Sequence, residues 1–408
     1  MTTRHVAATL LACCAASAHA AFNDTGQTAC YSNTGTTACS DPAFPGQDAR
    51  YGRDAAQAAG QLPPKTGGGR AGFDFTARSA SGSPVSPSAG THPCVRDNVT
   101  ELTWKTVPQS GLDWSEAASN AATHHACDFD DWRVPTRREL LSIADRSYAV
   151  PDSDYFTDGT LFPTWSADSY ALDPAGRGWF VYPPGGTGTA DKFSTGLVRF
   201  VRGPASAATA FNVLPEGTAF DQATDLVWDR CYLGQSAAAY SFCDLEVTSL
   251  TYTWQEALQI VAQLNARPGG YKGHSDWRLP NVAELETLID IASAAESPSD
   301  TFAFPGASPS AHYWTSTTYA AELPPIHAWR VNITFGNVDT AEKTELHQVR
   351  LVRGGGPWAA FDALAAPPTP GNPTPGQPTP VPTLGHAAPA LLSALLGGVG
   401  FISRRKKA

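Results

Sequence analysis

The stretch "DDWRVPTRREL" (residues 130–140) recurs in the chain as "SDWRLPNVAEL" (residues 275–285), and this recurrence indicates a repeated structural unit. In both stretches an aspartate, a tryptophan and an arginine precede a proline. Pro135 and Pro280 favour an extended conformation for the residue before them. The Thr-x-x-Glu and Asn-x-x-Glu sequences that follow have the spacing of a capping box, which starts a helix, and an earlier box is predicted in each copy at Asp113 and at Thr253. Each stretch is therefore predicted to be a short extended link that enters a helix.

Further matches in the same order indicate an internal repeat. The offset between matching residues grows from 124 to 140, 145, 149 and 151, as small loop insertions would produce. The matches pair Trp104 with Trp228, Trp114 with Trp254, Trp132 with Trp277, Trp165 with Trp314, and "VRFVRG" from Val198 with "VRLVRG" from Val349. We therefore predict two domains, copy one at residues 91–204 and copy two at residues 211–356.

The motif residues are predicted to be structural. We expect the tryptophan of each Asp-Trp-Arg motif to point inward and its arginine to pair with an acidic group or with carbonyls; an arginine that contacts a ligand is the alternative. The structural set is Trp104, Trp114, Trp132, Arg133 and Glu139 in copy one, and Trp228, Trp254, Trp277, Arg278, Glu284 and Trp314 in copy two.

Each copy ends in segments rich in Tyr, Trp and Thr that alternate apolar and polar residues, such as "HAWRVNITFGNV" from His327. This alternation is typical of strands. Two helices followed by a short-stranded antiparallel sheet in each copy predict the α+β class.

The start of the chain, "MTTRHVAATLLACCAASAHA", has a basic beginning, an apolar run and a small-residue end, as a signal peptide has. We predict a signal peptide at residues 1–20. Six cysteines remain after cleavage, and an even number in an exported chain indicates disulfides. Local spacing favours the pairs Cys30–Cys39, Cys94–Cys127 and Cys231–Cys243, with a zinc site as the alternative.

The chain has 408 residues and a net charge of −10. Nucleic-acid binding needs clustered Lys and Arg, so this balance argues against a nucleic-acid partner.

The repeated motifs, from Asp97–Trp104 to Val198–Gly203 and from Asp221–Trp228 to Val349–Gly354, resemble the Lcl C-terminal domain family of bacterial exported proteins. Residues 21–90 resemble the cysteine-bearing leader that often precedes such domains. The resemblance implies two tandem C-type-lectin-like domains and an association with adhesion. Copy one departs from the family pattern: "TWSADSY" is a poor strand phrase, a glycine-rich stretch follows it, and Glu101 stands where the family usually shows glycine. We expect copy one to be looser or adapted.

The C-terminal tail is predicted to be a sorting signal that has no part in the folded domains. Residues 357–383 form a proline-rich linker, and residues 384–408 an apolar segment with a basic end. Val381, Pro382, Thr383 and Leu384, with the apolar run, resemble the IPTL-CTERM sorting tail. That resemblance implies transient retention in the membrane and processing by a sorting peptidase; a retained anchor is the alternative.

The sequence lacks GxSxG, HExxH and phosphate-loop motifs, and we predict no enzyme activity and no bound cofactor. "WRLP…EL" and the terminal "VRGG" also recur in the formylglycine-generating enzyme group, but the cysteines here resemble structural staples, so that activity is not implied. His124 and His125 are expected to diverge on a helix and not to bind metal. Calcium held by Asp128, Asp130 and Asp131 is an alternative.

Two functions are considered. The first is an exported protein of the cell envelope or surface, or released after C-terminal processing, that binds an extracellular glycan or protein ligand. The second is an exported enzyme or accessory subunit.

Overall fold

The computed structural model describes residues 23–87, 92–148, 151–157, 162–204, 210–236, 244–245, 250–292, 303–305, 311–332 and 335–354. The chain divides into two compact units at residue 365, and every described residue belongs to the first unit. The predicted signal peptide, the linker and the apolar tail segment lie outside the described residues. Among the described helices, none is long and apolar enough to cross a bilayer.

The leader contains two short strands, a helix and a third strand. Their bounds are β1 (Cys30–Tyr31), β2 (Thr36–Thr37), α1 (Arg53–Ala58) and β3 (Phe75–Arg78), with a single 3₁₀ turn at Asp48–Arg50.

Copy one has two helices and eight strands. They are β4 (Cys94–Asp97), β5 (Thr103–Lys105), β6 (Gln109–Leu112), α2 (Trp114–Ala122), α3 (Arg137–Ser142), β7 (Thr164–Ser169), β8 (Arg177–Tyr182), β9 (Gly186–Asp191), β10 (Gly196–Val198) and β11 (Val201–Arg202).

Copy two has two helices and nine strands among its described residues, with a short extra hairpin and without counterparts of β6 and β10. They are β12 (Phe211–Leu214), β13 (Thr218–Asp221), β14 (Leu226–Asp229), β15 (Gln235–Ser236), β16 (Asp244–Leu245), α4 (Trp254–Asn265), α5 (Val282–Glu286), β17 (His312–Thr318), β18 (His327–Asn332), β19 (Asn337–Glu342) and β20 (Val352–Gly354). The described protein is thus mixed α+β, with most of its regular structure in sheets.

Two sets of strands occur in the same arrangement in both copies, although β6 and β10 extend the second sheet in copy one. A four-stranded sheet has the order β11-β5-β4-β3 in copy one and β20-β14-β13-β12 in copy two. The antiparallel set β7-β8-β9 in copy one corresponds to β17-β18-β19 in copy two. Copy one therefore draws the edge strand β3 of its first sheet from the segment that the sequence assigns to the leader.

The glycine-rich stretch of copy one forms complete strands. Gly186–Asp191 pairs along its whole length with Arg177–Tyr182, in the register that β19 and β18 adopt in copy two. In "HAWRVNITFGNV" the strand ends at Asn332, and Phe335 is exposed, so the predicted alternation does not extend to that residue.

All four predicted capping boxes are confirmed, at Asp113, Thr136, Thr253 and Asn281. In each box the side chain of the cap accepts a hydrogen bond from the backbone N–H of a glutamate three residues later, and the carboxylate of that glutamate accepts one from the backbone N–H of the cap. The boxes satisfy amide groups that would otherwise be unpaired at a helix start.

A tight turn joins the second and third strands of each first sheet. The buried Asp97 accepts a 2.7 Å hydrogen bond from Thr100 Oγ1, and Asp221 accepts the same bond from Thr224. The residue directly after this threonine, Glu101 in copy one and Asp225 in copy two, has a φ near +60°. Glycine adopts this left-handed conformation without strain, which explains why the family usually has glycine at the position of Glu101.

Candidate functional site

The arginines of the repeated motif lie in two-pronged ion pairs with the capping glutamates. Arg133 Nη1 and Nη2 each lie 2.7 Å from a carboxylate oxygen of Glu139. Arg278 contacts Glu284 in the same way, at 2.5 and 2.6 Å. Because each glutamate also accepts from the cap backbone, one carboxylate links the extended segment to the helix that follows.

The two other side chains of the Asp-Trp-Arg motif also have internal partners. Trp132 and Trp277 are buried, and their indole N–H groups donate to the carbonyls of Phe129 and Tyr271. The preceding aspartates pair with arginines of the last strand, Asp131 with Arg202 and Asp276 with Arg353. The motif thus joins a helix, a hairpin and a sheet within each copy.

The remaining tryptophans of the structural set lie in or against the cores. Trp104 and Trp228 are fully buried. The indole N–H of Trp114 donates to Ser166 O at 2.9 Å, and that of Trp254 donates to Thr315 O at 2.8 Å. Sequence reasoning missed a lysine that covers each ring: Lys192 Nζ lies 3.6 Å from the Trp114 ring centre, and Lys343 Nζ 4.3 Å from that of Trp254.

Two of the three predicted disulfides, Cys30–Cys39 and Cys94–Cys127, are confirmed. Cys231 is also disulfide-bonded. Its predicted partner, Cys243, lies outside the described residues.

The predicted position of the adjacent histidines is wrong, because α2 ends at Ala122 and both follow it. The His124 ring packs on Trp132 and Phe200, and burial lowers its pKa. For the calcium alternative, Asp131 is engaged by Arg202 at 2.5 and 3.0 Å. Within the described part of the chain, no group of three or more His, Cys, Asp or Glu side chains could hold a metal ion.

A buried ion pair joins the two copies, and the sequence did not indicate it. Arg137 Nη2 of α3 lies 2.6 Å from Glu286 Oε1 of α5, and both side chains are almost inaccessible to solvent. Arg137 also donates to the carbonyl of Gly336 and lies over the Trp179 ring. At the neighbouring strand edges Val338 N donates to Thr187 Oγ1 at 2.8 Å. These contacts hold the copies against each other.

The start of the leader, residues 23–27, lies buried against both copies. Asn23 donates to Asp97 in copy one at 2.7 Å. Gln27 exchanges two hydrogen bonds with the backbone of Thr318 in copy two. Phe44 packs on Trp254. The leader is therefore an integral part of the first compact unit.

Four aspartates around the leader have pKa values raised chiefly by burial. The pKa is raised to about 6 for Asp24, Asp97 and Asp145, and to about 7 for Asp48. Thr317 Oγ1 donates to Asp48 at 2.6 Å, which lowers the pKa of Asp48 less than burial raises it. Ionising these carboxyls in the folded protein is thus unfavourable.

These shifts predict that the protein loses stability as the pH rises from about 4 to about 7. In that window the folded chain holds protons that the unfolded chain has released, so stability falls with pH. His347 partly offsets this loss of stability. Its pKa is lowered to about 4 in the folded protein, so between about pH 4 and 6.5 the unfolded chain binds more protons at this residue and stability rises with pH. Asp48→Asn should flatten the dependence of the melting temperature on pH between 5 and 7.5. Asp131→Asn, at an exposed ion pair, is the control; an unchanged slope in Asp48→Asn would contradict the prediction.

Copy one has an open groove where β6, β10, β7 and β8 meet, with a volume of about 320 Å³. Apolar side chains form most of its surface, and the described residues of the lining include no charged one. Phe162 is 69% exposed at its edge, whereas Trp165 is buried and its indole N–H has no hydrogen-bond partner. The apolar lining includes Phe162, Pro163, Trp165, Phe180 and Leu197.

Gly196 makes this groove possible through a close approach to Trp165. A Cβ atom at position 196 would lie 2.7 Å from Trp165 Nε1, nearer than real contacts allow. The repeat offset of 151 places His347 at the matching position of copy two. There the His347 ring lies against Trp314, with ring centres 4.6 Å apart. Copy two thus has a histidine side chain against its tryptophan where copy one has only the backbone of a glycine.

The matching face of copy two carries a charged network. By strand register Arg330 corresponds to Phe180, and Asp339 to Gly188. Arg330 Nε lies 2.7 Å from Asp339 Oδ1, and its Nη1 lies 3.0 Å from His347 Nε2. Burial and the Arg330 charge lower the pKa of His347 to about 4, so His347 is neutral at pH 7. Glu345 completes the network, 3.3 Å from His347. The two faces therefore share the same strand pairing, but the face of copy one is apolar and that of copy two is charged.

Comparison with known families gives two results. The Lcl C-terminal domain model matches residues 93–202 and 217–353, and the IPTL-CTERM motif matches residues 379–406. Comparison with curated proteins found no match. The domain and the sorting motif together indicate an exported surface protein with C-terminal processing. Because the two domain matches span more than half of the chain, the protein belongs to the Lcl C-terminal domain family and carries two copies of its domain.

Proposed function

We propose that this protein is an adhesin-like binding protein of the bacterial surface, with two C-type-lectin-like modules, and that copy one contacts a glycan or matrix component through its groove. The fold assignment is supported by the two helices and small antiparallel sheets of each copy. The observation that carries the binding role is the open aromatic groove, because exposed aromatic surface in a concavity is typical of ligand sites.

We also propose that the protein binds its ligand without catalysing a reaction. The arginines and glutamates of the repeated motif are occupied in ion pairs within each copy. Among the residues that the structure describes, the lining of the groove has no titratable side chain that could transfer a proton. Binding by shape, stacking and neutral hydrogen bonds is the chemistry that this surface supports.

Removing the Phe162 ring should weaken ligand binding. Phe162→Ala is expected to reduce affinity about tenfold, the loss of about 1.4 kcal/mol of contact energy. The exported protein, purified and applied to an array of glycans and matrix proteins, provides the measurement. Phe335→Ala is the matched control, since Phe335 is 53% exposed in copy two. Equal binding by both variants would contradict the role of the groove.

We propose that a sorting peptidase processes the tail after transient retention in the membrane. The matched motif, residues 379–406, includes the predicted Val381–Leu384 sequence and the basic end. A chain truncated after Gly356 should fold normally and escape to the periplasm or medium. Fractionation of cells that express either form tests this. The proposal fails if the truncated chain misfolds, or if the full chain never enters the membrane or surface fraction.

A further inference from the structure

We propose that the groove of copy one recognises an uncharged saccharide, and that copy two does not provide a second site of this kind. This inference rests on the proposed binding function and specifies its ligand. It follows from the difference between two faces that share one strand arrangement.

The charge of the lining excludes an anionic or cationic ligand group inside the groove. Phe180 and Gly188 stand in copy one where Arg330 and Asp339 stand in copy two. A sulfate or carboxylate placed in the groove would lose hydration without gaining a charged partner. Such unpaired burial of charge is strongly unfavourable. The chain as a whole, with a net charge of −10, also repels polyanions.

The polar groups of the lining match a sugar better than an apolar peptide side chain. Ser110, Ser194 and Thr195 add hydroxyl-bearing side chains to the aromatic surface. A pyranose ring offers a face of C–H groups that can stack on Phe162 or Phe180, and hydroxyls at its rim that can exchange hydrogen bonds. An apolar side chain would cover these protein hydroxyls without pairing them.

The volume of the groove limits how much of a saccharide it can hold. About 320 Å³ is at the lower end of the ~300–1,000 Å³ range of small-molecule sites. The groove is open to solvent along one side, so a longer chain can continue beyond it. The geometry therefore points to one or two sugar units of an uncharged oligosaccharide.

The position of His347 explains why copy two differs. Its ring lies against Trp314, whereas in copy one the Trp165 ring packs directly on Gly196, where a Cβ atom would lie 2.7 Å from Nε1. The indole N–H of Trp314 donates to Tyr252 O at 2.8 Å, whereas that of Trp165 has no partner. The face of copy two is thus occupied by its own side chains. Gly196→His places a side chain where the Trp165 ring now lies and should displace that ring and disrupt the groove.

The test compares immobilised neutral oligosaccharides with the sulfated polysaccharides heparin and chondroitin sulfate. The exported protein should bind at least one neutral oligosaccharide, and raising the salt concentration should not weaken that binding. Phe162→Ala and Gly196→His should each reduce it about tenfold or more. His347→Gly and Phe335→Ala should leave it unchanged. Melting temperatures of all variants establish that they are folded, and Phe162→Ala, at an exposed position, remains informative if Gly196→His is not.

The other outcomes separate this inference from the proposed function. Binding of sulfated polymers that is salt-sensitive and lost in Phe162→Ala would overturn the uncharged ligand while the binding function stands. Binding of an immobilised matrix protein alone, again lost in Phe162→Ala, would do the same. Neutral binding that is lost in His347→Gly would overturn the assignment to copy one. Absence of binding to every probe would overturn the proposed function together with this inference.

Discussion

Glu286→Ala is expected to destabilise the protein by about 3–5 kcal/mol, because it leaves the buried guanidinium of Arg137 without its counter-charge. The effect should be at the upper end of this range. The charge of Glu286 also favours the protonated form of Arg146, which is fully buried and lies over the Trp329 ring. The midpoint of denaturant unfolding gives the measurement.

Two controls distinguish loss of the ion pair from loss of side-chain volume. Glu342→Ala removes an exposed carboxylate from β19 and should change the midpoint little. The double variant Arg137→Met with Glu286→Leu removes both charges and should regain most of the lost stability, because a buried pair is often replaceable by apolar residues. If Glu286→Ala unfolds at the same midpoint as Glu342→Ala, the ion pair does not hold the copies together.

Trp277→Ala is expected to cost about 3–5 kcal/mol, the range for deleting a buried aromatic side chain. Trp277 is 1% exposed in a core with Val261, Leu264 and Leu279. The side-chain amide of Asn265 donates a 2.6 Å hydrogen bond to Trp277 O and accepts a 3.1 Å hydrogen bond from Trp277 N. The cavity left by the ring would therefore be surrounded by residues that are held in place and cannot easily fill it.

The loss of stability in Trp277→Ala should also affect copy one. The copies share the Arg137–Glu286 pair, and the leader bonds to both, so local unfolding of copy two would break contacts on which copy one depends. Thermal unfolding followed by tryptophan fluorescence should show one shifted transition. Phe193→Ala, at a position that is 82% exposed, should leave the midpoint nearly unchanged. An unshifted transition in Trp277→Ala would contradict the predicted core role.

The local structure could be read from the sequence where neighbouring residues determine it. The four capping boxes need only a polar residue and a glutamate three positions later, and all four form. The disulfides Cys30–Cys39 and Cys94–Cys127 are likewise the pairs that local spacing favoured. The position of His124 and His125 was wrong because α2 ends one turn earlier than the pattern indicated.

The groove could not have been predicted from single residues. Its shape depends on Gly196, which meets Trp165 only through strand pairing across the sheet. The signal in the sequence was the glycine-rich stretch of copy one, which we interpreted as a sign of looseness. In the structure the glycines of that stretch lie in regular strands and let aromatic rings pack on the backbone, since a Cβ atom at Gly186 would meet Tyr182 and one at Gly188 would meet Phe180.

The sequence by itself determined the α+β class, the repeat, the helix starts, two disulfide pairs and the family, because these depend on local spacing and on motifs that recur along the chain. Only the tertiary structure decided how the copies join and where they differ. Arg137 and Glu286 correspond to Val282 and Leu141 in the opposite copy, so the repeat pattern shows neither as part of a pair. An ion pair between residues 149 positions apart becomes visible only when packing brings them together and excludes water from both.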